Sequence, residues 1–104
     1  MKRVKRRYLA LQFESERVLS EREFMDVLWA SVTKLYGEVG ASLTGLSFIS
    51  CDAERRIYVV KCLLAWLPQV RASVACVVSV GGVAASVHVL GVSGTLKALF
   101  SKLP

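Results

Sequence analysis

The sequence predicts a small α+β domain in which two helices cover one face of a four-stranded antiparallel sheet. Three observations carry that expectation. Short runs alternate apolar and polar residues, apolar stripes at helical spacing lie between them, and turn-forming residues mark the junctions. A chain of 104 residues, 54% of them hydrophobic, has the material for one core and little more.

Residues 7–14 read as the first strand, with Leu9, Leu11 and Phe13 on one face and Tyr8, Ala10 and Gln12 on the other. Ser20 then offers an N-cap, and Glu23 three residues on can return the bond as a capping box. Leu19 before the cap can pack on Phe24 as a hydrophobic staple. Phe24, Val27, Leu28, Val32 and Leu35 form the apolar stripe of the first helix, widened by Met25, Trp29 and Tyr36, and Gly37 stands where a left-handed C-terminal cap is expected. Residues 37–45 read as a connector. A second strand over residues 46–51 and a third over residues 57–63 flank the polar turn Asp52-Ala53-Glu54-Arg55. Pro68 suits the first turn of a second helix running to about Val80.

Residues 72–94 carry no Asp, Glu, Lys or Arg, a length that could span a bilayer. Gly81-Gly82 at the centre, the serines and His88 argue otherwise, as does a change of period. Val70, Val74, Val77 and Val78 recur at helical spacing, whereas Val83, Ala85, Val87 and Val89 alternate as in a strand. A helix, a turn and a fourth strand over residues 83–90 account for the run without a membrane. A last helix follows, with Leu96, Leu99, Phe100 and Leu103 on one side.

The order β-α-β-β-α-β matches the split βαβ, ferredoxin-like arrangement, similar in outline to an RNA-recognition motif. The chain is read as one domain, residues 1–104. Residues 1–6 form a basic arm, 7–91 the core, and 92–104 an added helix expected to pack on the open sheet face.

Charge is distributed in blocks. Lys2, Arg3, Lys5, Arg6 and Arg7 open the chain without an acid, all 8 acids fall within residues 8–54, and residues 55–104 again hold cations only. Basic blocks suit a polyanion, and the acidic one suits something else. Cys51, Cys62 and Cys76 form no C-x-x-C pair, and His88, the 1 histidine, is far from them in sequence. That set does not make a zinc site. Buried, reduced thiols are expected, which together with the lack of a signal-like apolar run after the basic start favours an intracellular, cytoplasmic protein.

A catalytic set is not evident. Glu14, Glu16, Glu21, Glu23 and Asp26 gather at the start of the first helix, where they suit its dipole, and His88 reads as a sheet-surface residue. Gly91-Val92-Ser93-Gly94-Thr95-Leu96-Lys97 joins a strand to a helix but matches neither common phosphate-loop pattern. Ser93 or Thr95 is read there as a helix cap, with contact to an RNA backbone left open. The cations are the remaining signal: Lys2, Arg3, Lys5, Arg6 and Arg7 in the arm, Arg55 and Arg56 at the hairpin, and Lys97 and Lys102 on the last helix. The third strand lacks the aromatic-and-glycine signature of RNA-recognition motifs, so backbone and shape recognition is expected over base stacking.

Three segments give this pattern a family. Lys5-Arg6-Arg7-Tyr8-Leu9, Tyr36-Gly37-Glu38-Val39-Gly40 and above all Val89-Leu90-Gly91-Val92-Ser93-Gly94-Thr95-Leu96-Lys97 resemble the protein component 2 family of archaeal ribonuclease P. The resemblance implies a non-catalytic RNA-binding subunit of an endoribonuclease. Its partners would be the ribonuclease P RNA, precursor tRNA within the holoenzyme, and the TIM-barrel-like component 3. It also implies self-association within a heterotetramer, and magnesium carried by the RNA and not by the protein. Leu64, Trp66 and Leu67, beside an almost uncharged second helix, are the expected protein interface. Two other readings compete: a ferredoxin-like assembly module that is basic only for solubility, and a metal-dependent nuclease in its own right.

Overall fold

Alternation along the first strand sets the architecture, because successive side chains of a strand leave on opposite faces. The computed structural model describes residues 5–103. Its elements are β1 (Arg6–Ser15), α1 (Glu21–Leu43), β2 (Ser47–Asp52), β3 (Ile57–Leu63), a 3-10 turn (Leu64–Trp66), α2 (Leu67–Ala75), β4 (Ser79–Val80), β5 (Val83–Ser93) and α3 (Leu96–Lys102). The sheet is antiparallel, in the order β2-β3-β1-β5-β4. Leu9, Leu11 and Phe13 point to one side and are buried with Phe24, Leu28 and Val32 of α1 and Val70 and Val74 of α2. Phe24 stacks on Tyr58 with ring centroids 3.8 Å apart, and Phe13 meets both rings edge-on. Such ring pairs add roughly 0.5–1.5 kcal/mol each beyond their buried area.

Ala10, on the other side of β1, is buried with Ile57, Val59 and Leu99. The last helix therefore packs on the sheet face that α1 and α2 leave open. Leu96 and Leu103 join Leu99 there, but Phe100 is 49% exposed, against the expected stripe. Phe100 stands at the rim of that contact, where it lines a cleft with Ile57, Val59 and Leu103.

The capping box forms as expected. Ser20 Oγ accepts from the Glu23 N–H at 3.3 Å, and the Glu23 carboxylate accepts from the Ser20 N–H at 3.2 Å. The helix does not end at Gly37, however. Gly37 adopts φ 75° and ψ 174°, a break that only glycine accepts readily, and helical structure resumes as far as Leu43. The expected connector is thus mostly helical, with Gly40 and Ala41 buried and the Trp66 ring beside Gly40. Leu35 and Tyr36, expected in the core stripe, lie before the break and are exposed.

Two further expectations are corrected. The second helix stops at Ala75, not near Val80, and Ser79–Val80 becomes a fifth strand. Gly81 and Gly82 have φ 58° and 81°, as a type I′ hairpin turn demands, so the chain folds straight back. The last strand extends to Ser93, beyond residue 90 and past the expected core boundary at residue 91. Leu11 pairs with Val89 and Ala10 with Gly91, leaving Leu90 as a bulge. The bulge shifts the alternation, so that Val92 faces the helices beside Leu9 and the strand pattern breaks off in the sequence. None of the described helices is long and apolar enough to cross a membrane.

Cys62 is buried and Cys51 half-buried, but Cys76 is exposed, because it follows the last turn of α2. The expectation of buried thiols therefore fails at Cys76.

Candidate nucleic-acid interface

The register of three strands assembles one corner of the sheet. Tyr8 pairs with Lys61 on β3 and with Ser93 on β5, and Lys61 pairs in turn with Ser47 on β2. Paired residues share a face. The row Ser47, Lys61, Tyr8, Ser93 thus runs across the α3 side of the sheet, and Arg6 lies two residues from Tyr8 on that side. Lys61 was not among the expected contacts. The period-2 pattern of β3, in which Tyr58, Val60 and Cys62 face the helices, would have placed it on the α3 side.

The loop from β5 to α3 closes the corner. Arg7 Nη1 donates to the Arg6 carbonyl at 2.8 Å, and its guanidinium lies alongside Gly94. Lys102 Nζ donates to the Val92 carbonyl at 3.2 Å, while Lys97 is exposed on the same short helix. Thr95 is the N-cap of α3, its Oγ1 accepting from the Ala98 N–H at 3.2 Å. Ser93 Oγ accepts from the Thr95 N–H at 3.5 Å. Of the two candidates Thr95 is therefore the cap, and Ser93 braces the loop that leads to it. Lys5 is exposed next to the corner, its carbonyl bonded by the Leu64 N–H at 2.8 Å. Lys2 and Arg3 lie outside the described residues.

Arg55 and Arg56 are not part of this corner. From the Arg7–Cys62 pair to the Gln12–Ile57 pair the sheet advances by about 17 Å at ordinary strand rise. Arg56 has φ 56°, and its guanidinium donates to the Ser15 carbonyl. Its own carbonyl accepts from the Phe13 N–H at 3.0 Å. Arg55 faces Asp52 at 3.8 Å. The two arginines fasten the β2–β3 hairpin to the far end of β1, near the acids that open α1. Asp52 stands three residues before Arg55 in the same turn, so that ion pair is local.

His88 gains a carboxylate invisible in the linear sequence: Glu14, on the adjacent strand, at 3.6 Å. Both are more than half exposed, so the contact is a surface pair of small energetic weight. Among the described residues no group of three His, Cys, Asp or Glu side chains converges to hold a metal ion. Leu64, Trp66 and Leu67 are half-buried, and Trp66 meets Tyr36 edge-on at a centroid distance of 6.4 Å. Val39 and Leu43, 75% and 50% exposed, extend the apolar surface along the same kinked helix.

A ferredoxin-like sheet with a helix on its open face and cations gathered at one corner defines the class: a small α+β domain with a basic surface. Comparison with known proteins makes that class specific. The Rpp14/Pop5 family model matches residues 7–103, and the chain belongs to that family. It is similar to ribonuclease P protein component 2 of Methanothermobacter thermautotrophicus, 33% identical over 96% of this chain and 86% of that one. It is also similar to component 2 of Archaeoglobus fulgidus, 35% identical over 91% of this chain and 84% of that one. The fold matches a chain in the cryo-EM structure of yeast ribonuclease MRP with a TM-score of 0.75, at 16% identity, over 92% of this chain and 79% of that one. The chain is a protein subunit of ribonuclease P, and so part of an endoribonuclease complex.

Proposed function

We propose that this subunit holds the catalytic domain of the ribonuclease P RNA through the corner formed by Arg6, Arg7, Lys61, Lys97 and Lys102. In this reading the RNA, with its magnesium ions, removes the 5′ leader from precursor tRNA. The protein contributes fixed cations that neutralise phosphates and hold a catalytically competent RNA shape. The observation that carries it is the convergence of β1, β3 and the β5–α3 loop, which gathers cations from three separate parts of the sequence. Ser93 and Thr95 keep the loop rigid beneath them. Lys2, Arg3 and Lys5 extend the same charge from the chain start. Arg55 and Arg56 belong to the hairpin anchor and take little part.

The apolar surface of Tyr36, Val39, Leu43 and Trp66, with Leu64 and Leu67 beside it, serves protein contacts within the complex, to component 3 and to a second copy of this chain. The setting is the cytoplasm, where the free thiols stay reduced.

A salt-dependent titration of the cognate RNA tests the corner. Replacing Arg6, Arg7, Lys97 and Lys102 by Ala is expected to weaken binding and to flatten its salt dependence by about one unit of slope per lost phosphate contact. Replacing Arg55 and Arg56 is expected to change the slope little. Equal losses in the two variants would refute this placement of the site.

A further inference from the structure

The outer edge of β5 is open along part of its length, and its hydrogen-bond pattern shows where. In an antiparallel pair each residue directs both backbone groups either toward its partner strand or away from it. The Phe13 N–H bonds the Arg56 carbonyl, so Phe13 faces the β3 side and its neighbours Gln12 and Glu14 face β5. Their partners His88 and Ser86 accordingly face β1, while Ala85, Val87 and Val89 face outward. The Ala85 N–H bonds the Val78 carbonyl at 3.0 Å, which closes one end of the edge. Beyond the Leu90 bulge, the Val92 carbonyl is taken by Lys102 Nζ, which closes the other. Between them Val87 and Val89 turn their N–H and C=O groups toward a side where no strand lies among the described residues.

That window has a shaped flank. Arg71, Val74 and Ala75 of α2 and Val87, His88 and Val89 of β5 line a groove of about 330 Å³. Arg71 is exposed and has no ion-pair partner among the described residues. We propose that this window of β5 receives an extended segment of a partner protein, added as a further antiparallel strand, with an acidic side chain on its α2-facing side to meet Arg71. Val87 and Val89 supply the main-chain bonds and the groove admits small apolar residues, the division of labour of strand addition. A second copy of this chain fits the same edge poorly. Two β5 edges paired about a two-fold axis would set Arg71 of each copy on the same face of the seam, cation against cation. The window borders the basic corner at Lys102 but uses none of its cations, so the inference does not rest on RNA binding.

The test is amide hydrogen exchange on the full chain with a capped peptide alternating valine and glutamate, and a valine–lysine peptide for comparison. The glutamate peptide is expected to slow exchange at Val87 and Val89 and to leave the His88 amide unchanged, because His88 already faces β1. Arg71→Glu is expected to transfer the preference to the lysine peptide. Val89→Pro is expected to abolish the effect, since it removes an outward donor and no bond to β1. Three results would overturn the proposal: no slowing at any peptide concentration, equal slowing by both peptides, or slowing that follows protein concentration without peptide.

Discussion

The guanidinium of Arg7 lies 3.4 Å from the point where a β-carbon on Gly94 would sit. This contact joins the start of β1 to the loop before α3 and brings Arg7, paired with Cys62 and so directed to the helix side, to the rim of the corner. Gly94→Asp would set a carboxylate against Arg7 and cancel its charge. RNA affinity is then expected to fall, with about one unit less salt slope. Gly94→Ala is expected to change neither, because its methyl meets only the movable end of a long side chain. Titrations at several salt concentrations separate the two.

Leu99 ties α3 to the sheet. Its side chain is fully buried against Ala10, Ile57 and Val59. Leu99→Ala is expected to cost about 2–5 kcal/mol, the range for a leucine removed from a packed site. Chemical denaturation measures this. Phe100→Ala, at an exposed neighbour, is expected to cost much less.

The start of α1 titrates. The Glu23 carboxyl is held below its ordinary value of 4.5, first by the Ser20 N–H, then by the Ser20 hydroxyl, with Arg17 assisting. A lowered folded-state pKa stabilises the fold above the ordinary carboxylate range, and that contribution is lost as pH falls through the lowered value. Glu23→Gln is therefore expected to flatten the acid side of the stability profile. Ser20→Ala is expected to cost about 1 kcal/mol at neutral pH. Thermal unfolding across pH 2–7 reads both effects (a range of about five units).

The three cysteines are expected to react in order of access. Cys76 is exposed and should be alkylated first. Burial raises the Cys51 thiol, with Glu21 adding to the shift, and pushes Cys62 up to about 11. Cys62 is then protonated at neutral pH as well as covered, and its labelling should follow unfolding. Mass spectrometry of partly alkylated protein gives the order. Early labelling of Cys62 would mean that the β3–α1 packing opens readily.

Much of the fold was legible because local chemistry declares it. Ser20 and Glu23 mark a helix start, and Leu9, Leu11 and Phe13 mark a buried strand face, whatever surrounds them. Other features depend on partners distant in sequence. Gly37 has the positive φ expected of a helix end, but whether the chain stays helical afterwards depends on how Gly40 and Ala41 pack, with Trp66 alongside. Ser79–Val80 is too short to show a period, and the bulge at Leu90 hides the end of β5. The site was legible as a charge type and not as a place. Lys61 and Arg56 are both cations on one hairpin, yet pairing sends the first to the corner and the second to the Ser15 carbonyl. Which cations gather is decided by strand order, which no single segment encodes.

Leader cleavage by the cognate ribonuclease P RNA, followed across magnesium concentrations with and without this chain and its partner subunit, tests the account most directly. The protein is expected to lower the magnesium needed for cleavage of precursor tRNA, and the Arg6, Arg7, Lys97 and Lys102 variant to forfeit most of that gain. An unchanged magnesium requirement, or cleavage by the protein without RNA, would contradict it.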